Sequence, residues 1–538
     1  MPSGKVVVEI EGYGKIMAER GDILGDLLER EGVINLPCRG QGLCGLCRVI
    51  VLVNGLSDPT EKERAVLGDA LGEQRLACQA RILGYTRIRI PGEWKPGITG
   101  KNYLLPRLTS IELIIETLEM NNRAPIDADI IVAPQTIMYG RYSVRLDDKI
   151  VSIKPNRPKN IILADIGTTT ITIVKAGLDG TIVSELTLLN PLYRYGLDVI
   201  SRGEKASENP SLAVEMKKLI LDTLVKLSDK HTALIIGAGN TINTFIAAGL
   251  PVKSLIEAPY SPGVRGSVLV PVNPPVLLAP VITGQVGGDT LMNILATHYQ
   301  GYAEPYMVID IGTNTEIALI TEERIYVASA PAGPAIEGYV GRGSWAGRGG
   351  VYHVEVRDCG ETPCFTINGD PRRGLMGSGI LSLVYGLLSN GYIDPSGRFR
   401  RGYRIMGGRK AYVLDDESGL IFTQKDLREV QKAIAAVKAG WKAVLRRAGL
   451  GPEELSVVVL TGRPVQSLDE HVIYGLGLSP CNRLRVLPNI VPYGLYLYAF
   501  NEEYRGLVKE ILGRAEHVVL AGREYSNLWI RSLSLGPG

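Results

Sequence analysis

The sequence predicts a multidomain α/β protein, and three observations carry that expectation. The chain is too long for one hydrophobic core, four of its seven cysteines fall between Cys38 and Cys78, and a strand–turn–strand motif occurs twice in the remainder. At 538 residues, and roughly 150 residues per domain, three to four domains are expected. Apolar residues make up 45% and charged residues 21%, the balance of an ordinary globular chain, which excludes wholesale disorder. Lys and Arg total 59 against 56 for Asp and Glu, a net charge of +3. There is thus no global basic excess, and no nucleic acid is expected as a partner. The longest uncharged stretch, Gly266 to Gly288, contains Pro271, Pro274, Pro275 and Pro280. It cannot form the unbroken helix of a bilayer crossing, so it reads as a buried irregular segment and no membrane association is expected. The N-terminus, MPSGKVVVEIEG, alternates apolar and charged residues as a half-buried strand does and lacks a secretory apolar core, so the expected location is cytoplasmic.

From the N-terminus, two alternating runs, Lys5 to Ile10 and Tyr13 to Met17, flank a break at Glu11 and Gly12, which predicts a hairpin. A helix follows, with Asp22 as the expected cap, an apolar stripe of Ile23, Leu24, Leu27 and Leu28, and Gly32 as its end. Next comes LPCRGQGLCGLC, so that Cys38, Cys44, Cys47 and the distant Cys78 form C-x5-C-x2-C-x30-C. Four thiolates suit a [2Fe-2S] cluster or tetrahedral zinc. The loop favours the cluster: Gly40, Gly42 and Gly45 let backbone wrap closely round a bulky group and aim N–H donors at its sulfurs, whereas structural zinc more often uses two short knuckles. Residues 1 to 92 carry 12 basic and 12 acidic side chains, so the module lacks the acidic surface that steers proteins to basic partners. Arg39, Arg48, Arg75 and Arg81 stand near the ligands in sequence and are candidates for stabilising a reduced cluster or for docking, with a solvated face as the alternative. Cys359, Cys364 and Cys481 read as structural thiols, a Cys359–Cys364 disulfide being the alternative in a hyperthermophile.

Residues 93 to 160 read as a linker with a small connector domain. Seven prolines occur from Pro91 to Pro158, Leu108 to Met120 has helical apolar spacing, and short apolar runs between Ile126 and Ile153 predict a few strands. A spacer here would let a tethered redox module swing while keeping its effective concentration high.

The strongest internal signal is a near repeat, IILADIGTTTITIV at 161–174 and MVIDIGTNTEIALI at 307–320, with Asp165 and Asp310 at corresponding positions. Each copy predicts a buried strand, a tight Gly-Thr turn and a second strand, and the spacing implies two related domains. In such a hairpin Gly167 or Gly312 permits close backbone approach. The amides and hydroxyls of Thr168, Thr169, Thr313 and Asn314 can hold phosphate oxygens, and each aspartate can bind Mg2+ through water. Two such hairpins facing one another would clamp a nucleotide. Thr423 and Asp426 form a capping box that opens an amphipathic run from Leu427 to Leu445 and needs no catalytic explanation.

On these residues the first 92 positions resemble the ferredoxin fold, with RLACQA around Cys78 similar to its fourth-ligand segment. The duplicated hairpins resemble the acetate and sugar kinase, Hsc70 and actin superfamily, whose nucleotide lies between two ribonuclease-H-like domains. GAGNT at 237–241, VGGD at 286–289, AGPAIEG at 332–338, GSGI at 377–380 and TQKD at 423–426 follow in the order of one branch, the reductive activators of corrinoid proteins. The fold implied is an N-terminal β-grasp ferredoxin-like domain (1–92), a connector (93–160) and a C-terminal actin-like ATPase domain in two related halves (161–538). The cofactors implied are a [2Fe-2S] cluster on the four cysteines, ATP and Mg2+. The resemblance adds Glu316, Gly237, Gly239, Asn240, Gly377, Ser378, Gly379 and Gly462 to the nucleotide site. It makes Asp165, Asp310, Asp289 and Glu337 the candidate catalytic carboxylates, with a helix cap or structural acceptor as the alternative for the last two. Implied partners are a corrinoid protein of a methyltransferase system and an upstream electron donor, and a homodimer is compatible with the resemblance.

The function implied is ATP-dependent reduction of a cobalt(II) corrinoid to cobalt(I). A plant-type cluster sits near roughly −400 mV, and every uphill step of about 59 mV costs a factor of ten, about 1.4 kcal/mol. Nucleotide can cover such a gap only by favouring one docked state. The chain departs from the resemblance where the adenosine-contacting turn is usually built from small or aromatic residues, since here it reads TGRPVQ at 461–466. LPNIVPY at 487–493 likewise keeps only fragments of an Asn-Ala-Ala-like stretch. The alternatives are therefore a nucleotide-gated electron carrier or scaffold without rapid hydrolysis, favoured by that turn, and a small-molecule kinase with a fused redox domain.

Overall fold

The computed structural model describes residues 5–10, 14–31, 47–67, 71, 73–89, 115–117, 130–131, 142–146, 149–154, 158–196, 198–343 and 349–537. Its backbone separates into two compact units, residues 1–95 with 191–195, and residues 96–190 with 196–538.

In the first unit, β1 (Lys5–Ile10) and β2 (Gly14–Glu19) form the expected hairpin, Val8 opposite Ile16. Helix α1 (Leu24–Arg30), β3 (Arg48–Val53), α2 (Glu61–Leu67), β4 (Gln74–Leu76) and β5 (Thr86–Arg89) complete a mixed sheet of order β2-β1-β5-β3-β4. This is the expected β-grasp arrangement, closed by the apolar stripe Leu24, Leu27 and Leu28 against Val8, Ile10, Ile82 and Ile88. Asp22 does not cap α1. Ile23 occupies that position without a side-chain cap, while the Asp22 carboxylate accepts from Glu19 N–H at 3.0 Å and closes the preceding turn.

Strands β6 (Ile115–Thr117), β8 (Tyr142–Leu146) and β9 (Lys149–Lys154) make a small sheet of their own, and β7 (Ile130–Ile131) pairs elsewhere. The helical spacing of Leu108 to Met120 is thus overridden at Ile115–Thr117, which pairs antiparallel with β8. Strand pairing outweighs local periodicity over so short a run.

Two larger sheets share one topology. The first contains β10 (Asn160–Ile166), β11 (Thr170–Gly177), β12 (Ile182–Leu189), β13 (Thr232–Gly239), β14 (Val268–Val270) and β15 (Val276–Leu278), in the order β12-β11-β10-β13-β15-β14-β7. The second contains β16 (Tyr306–Asp310), β17 (Thr315–Ile320), β18 (Ile325–Ala330), β24 (Val458–Thr461), β25 (Leu484–Val486) and β26 (Ala515–His517), in the order β25-β24-β16-β17-β18-β26. In both, an antiparallel three-strand meander begins with the aspartate strand, on whose other side two parallel strands follow. The duplicated ribonuclease-H-like expectation holds at the level of the sheets. The uncharged stretch Gly266 to Gly288 is buried for much of its length but not irregular throughout, because β14 and β15 pair within it.

Helices α7 (Gly288–Tyr299), α11 (Val491–Phe500) and α12 (Glu502–Arg514) lie in one apolar core with residues of both sheets, including Ile161, Leu234, Val308 and Val327. Helices α3 (Val199–Glu208), α4 (Pro210–Val225) and α5 (Thr241–Ala248) accompany the first sheet. On the second, α8 (Gly377–Ser389) and α9 (Gln424–Ala448) pack a second core around Ile309, Ile317 and Leu460. Helix α9 opens on the expected capping box, Thr423 Oγ1 accepting from Asp426 N–H at 3.2 Å, and stops at Gly449 in the left-handed region. Two small antiparallel pairings, β19 (His353–Asp358) with β20 (Pro363–Asn368), and β21 (Arg404–Met406) with β22 (Arg409–Asp415) and β23 (Leu420–Thr423), elaborate this half. Cys359 and Cys364 are disulfide-bonded across the turn between β19 and β20, which corrects the structural-thiol reading for this pair, while Cys481 is a buried thiol. Among the described residues no helix is long and apolar enough to cross a membrane.

Candidate functional site

In the first unit, β3 and β4 bring two of the four cysteines together. Ala77 N–H donates to Cys47 O at 2.8 Å, and Cys47 and Cys78 are 1% and 4% exposed. Helix α1 lies directly on the Cys78 backbone: a Cβ on Gly25 would sit 2.7 Å from Cys78 Cα, so only glycine fits. Gln79 Nε2 points at Cys78 Sγ at 3.5 Å, a donor of the kind that favours a thiolate ligand. A buried cysteine pair with an amide aimed at sulfur fits a thiolate-held cluster. Cys38 and Cys44, with Arg39, lie outside the described residues.

Arg75 is not a docking residue. It is 4% exposed and forks onto the fully buried Glu63 at 2.8 and 3.0 Å, while Glu63 also accepts from Leu76 N–H at 3.1 Å. Burial opposes ionisation of Glu63, but its bonds to Arg75 and to backbone N–H groups leave its carboxyl below the usual range. The pair therefore anchors the segment that carries Cys78. Arg81 is exposed and donates to Gly21 O at 3.0 Å.

In the second unit the two Gly-Thr turns meet through one carboxylate. Glu337 ends the short 3-10 turn Pro334–Glu337, and its Oε2 accepts from Thr169 Oγ1 of the first turn at 2.7 Å. Its Oε1 accepts from Thr313 of the second turn, from the hydroxyl at 2.8 Å and from the N–H. A Cβ on Gly312 would stand 3.2 Å from both Asn314 O and Glu337 Oε1, which explains the bare backbone there.

Each aspartate is held by an asparagine amide supplied from outside its own hairpin. Asn489 Nδ2 donates to Asp165 at 2.6 Å, and Asn293 Nδ2 donates to Asp310 at 2.9 Å. Burial is the main cause that pushes Asp165 up to about 7, with the charges of Asp289 and Asp310 adding to it and Asn489 opposing it. Asp289, the second residue of α7, is likewise raised by burial to about 7, helped by the charge of Asp310 and opposed by Thr290 N–H, which it accepts at 2.7 Å. Burial raises Asp310 to about 6, with Glu337 adding to it. Glu316 is pushed well up by burial and by Asp289 and Asp310, and it accepts from Ser329 Oγ at 3.2 Å. Asp165, Asp289, Asp310 and Glu316 are thus linked through their charges, with Glu337 acting on Asp310. Among the described residues no three of them converge as a ready-made metal cage. Asn293 Oδ1, on a residue 1% exposed, accepts no hydrogen bond. A carboxylate pair with a spare buried acceptor suits Mg2+, which takes one or two carboxylates, waters and the oxygens of a phosphate substrate.

The other expected residues divide. Asn240 caps α5, accepting from Asn243 N–H at 2.9 Å, and its Nδ2 reaches Thr168 Oγ1 at 3.3 Å. A Cβ on Gly239 would meet Ile166 O at 2.5 Å, while one on Gly237 would come 3.1 Å from Ile166 Cδ1. Both glycines therefore let β13 lie close to the first hairpin. Gly377 and Gly379 would place a Cβ 2.1 Å from Ile336 O and 2.2 Å from Val351 O, and Ser378 Oγ donates to Tyr352 O at 2.7 Å. These three pack the start of α8 beside Glu337. Gly462 has φ +101° and would put a Cβ 2.1 Å from Ile311 O. Sequence reasoning missed Asn489, Asn293, Asn190 and Arg202. Asn190 Nδ2 donates to Gly167 O at 2.7 Å, and the fully buried Arg202 donates to Thr168 O at 2.7 Å and Gly196 O at 2.9 Å. Isolated asparagines carry no motif, so only LPN at 487–489 offered a signal.

Two duplicated sheets with facing phosphate-type turns, joined in one chain to a cysteine-bearing β-grasp unit, define an actin-like nucleotide-cleft protein with a fused redox domain. Comparison with known proteins agrees in each part. Residues 8–83 match the 2Fe-2S iron-sulfur cluster binding domain, 162–301 the RACo middle region, and 304–536 the C-terminal domain of RACo, the ASKHA domain. The chain belongs to this family of reductive activators, whose domain set it carries in order. It is 26% identical to the corrinoid activation enzyme RamQ of Eubacterium limosum, over 91% of each chain. It is 28% identical to the [Co(II) methylated amine-specific corrinoid protein] reductase of Methanosarcina barkeri, over 38% of this chain and 40% of that one. A solved structure of a reductive activator for corrinoid, iron-sulfur protein has the same fold, with a TM-score of 0.68, 22% identity and coverage of 98% of each chain.

Proposed function

We propose that this chain uses ATP to drive one electron from a [2Fe-2S] centre on Cys38, Cys44, Cys47 and Cys78 to the cobalt(II) of a corrinoid protein, giving cobalt(I), and that an upstream donor then restores the electron. The observation that carries the nucleotide half is the Glu337 bridge, which ties the turn of one sheet to the turn of the other. The domain matches support the redox half. A cluster bound in the first unit would supply a one-electron couple, and the Gln79 amide and the buried Glu63–Arg75 pair would hold the Cys78 ligand segment in place for it.

In the second unit the N–H and hydroxyl groups of Gly167 to Thr169 and of Gly312 to Asn314 would receive phosphate oxygens. Asp289 and Asp310 would hold Mg2+, with Asn293 orienting Asp310. Glu337, which touches both turns, would orient an attacking water. Because the turns belong to different sheets, a ligand that grips both favours one mutual arrangement of those sheets. That differential affinity is the only means by which nucleotide can drive an uphill transfer. In this reading residues 1–92 are the redox domain, 93–160 the connector and 161–538 the ATPase.

The test is formation of cobalt(I), followed by its visible absorption, with a purified corrinoid protein, a low-potential reductant and ATP. Wild type should form it only with ATP. Equal rates with and without nucleotide would remove the cleft from the mechanism, and a zinc-loaded, colourless first unit would remove the electron path.

A further inference from the structure

Resting on the nucleotide reading of the cleft, we propose that Arg463 is a phosphate-binding and specificity-determining residue that selects a triphosphate over shorter phosphate chains. Strand β24 runs parallel to β16 with Thr461 opposite Asp310, and Ile311 N–H donates to Thr461 O at 2.9 Å. The chain then turns at Gly462, where φ is +101° and any side chain would strike Ile311 O, so backbone crosses directly beside the second Gly-Thr turn. Residue 463 is the first side chain after that crossing. It is half-buried, and the charges of Glu337, which bonds to both turns, and of Asp165 at the foot of the first act on its guanidinium.

Charge makes the assignment specific. Asp165, Asp289, Asp310, Glu316 and Glu337 gather at the two turns, and a polyphosphate bound there adds further negative charge. Arg202 serves the first turn, its guanidinium bonded to Gly196 O, Thr168 O and Asn243 Oδ1. A planar guanidinium matches phosphate oxygens in pairs and stays charged at any working pH, and its attraction grows with the charge on the ligand. The TGRPVQ departure thus becomes a gain of phosphate affinity at the point where the adenosine contact changes.

The experiment is calorimetric titration of the full-length, cluster-loaded protein with MgATP, MgADP and adenosine. Arg463→Met should weaken ATP by about 10- to 100-fold, the loss expected for a charge-assisted bond, weaken ADP by less, and leave adenosine unchanged. Arg463→Lys, which keeps charge and volume and therefore the fold, should recover part of the ATP affinity and none of the paired geometry. ATP binding by Arg463→Met within twofold of wild type would overturn the proposal, as would an equal loss for all three ligands. A wild-type chain that binds none of the three removes the cleft reading, and the proposal with it.

Discussion

The two Gly-Thr hairpins are copies in sequence and differ in register. In the first, Asp165 lies opposite Thr172 and Ile166 opposite Ile171. In the second, Asp310 lies opposite Glu316, which occupies the position of Ile171 in the repeat. A shift of one residue exchanges which side chains share a face. The second hairpin therefore sets two carboxylates across from one another at the crevice, whereas the first sets a carboxylate against a hydroxyl. The supports differ as well. Glu337 bonds to both turns, but only the first is also held by the neutral Asn190 and by Arg202. Duplication supplied the frame, and the acidic chemistry was concentrated in one copy.

If the second copy carries the chemistry, Asp310→Ala should reduce ATP-stimulated cobalt(I) formation by at least about 100-fold, to the rate without nucleotide, and leave the visible spectrum of the cluster intact. Asp165→Ala should cost less, and an equal loss would break the asymmetry. Asn489→Ala and Asn293→Ala each remove one amide from an aspartate, so each should weaken MgATP by about tenfold, read by titration. The empty cleft should also respond to pH. Asp165, Asp289 and Asp310 have folded-state values of about 7, 7 and 6 against an ordinary value of about 3.9 in the unfolded chain. Between those limits the folded state binds more protons, so stability falls as pH rises through that window, and the loss is complete above about pH 7. Asp310→Asn should flatten the lower part of the fall in denaturation curves measured without nucleotide. Smallest of all, Glu316→Ile restores the residue of the first copy and removes a buried like charge, so the melting temperature should rise by about 1–3 °C at pH 8, with no rise at pH 4.

Much of this was readable from the residues. The hairpin at Lys5 to Ile10, the capping box at Thr423, the cysteine spacing and the repeated D-I-G-T all depend on neighbours within a few positions, and local chemistry constrains them tightly. The failures have a common cause in pairings that no propensity or periodicity announces, some between distant segments and some within a single turn or hairpin. Ile115–Thr117 became a strand because β8 lay alongside it, Asp22 lost the cap to a tighter turn with Glu19, and Arg75 was taken by Glu63. Cys359 and Cys364 were five residues apart in plain view, but only a hairpin with Arg357 opposite Cys364 brings their sulfurs together.

The amino-acid order by itself determined the parts: a redox module set by thiol spacing, two related halves set by repetition, and the turns in which glycine must stand. Tertiary structure alone decided that Glu337 spans both turns, that Asn489 and Asn293 reach aspartates 324 and 17 residues away, and that the carboxylates of both hairpins act on one another and on Arg463 through space. The reason is range. Steric limits on backbone act within a few residues and are written into sequence, whereas burial and charge act through space and appear only when the chain has closed on itself.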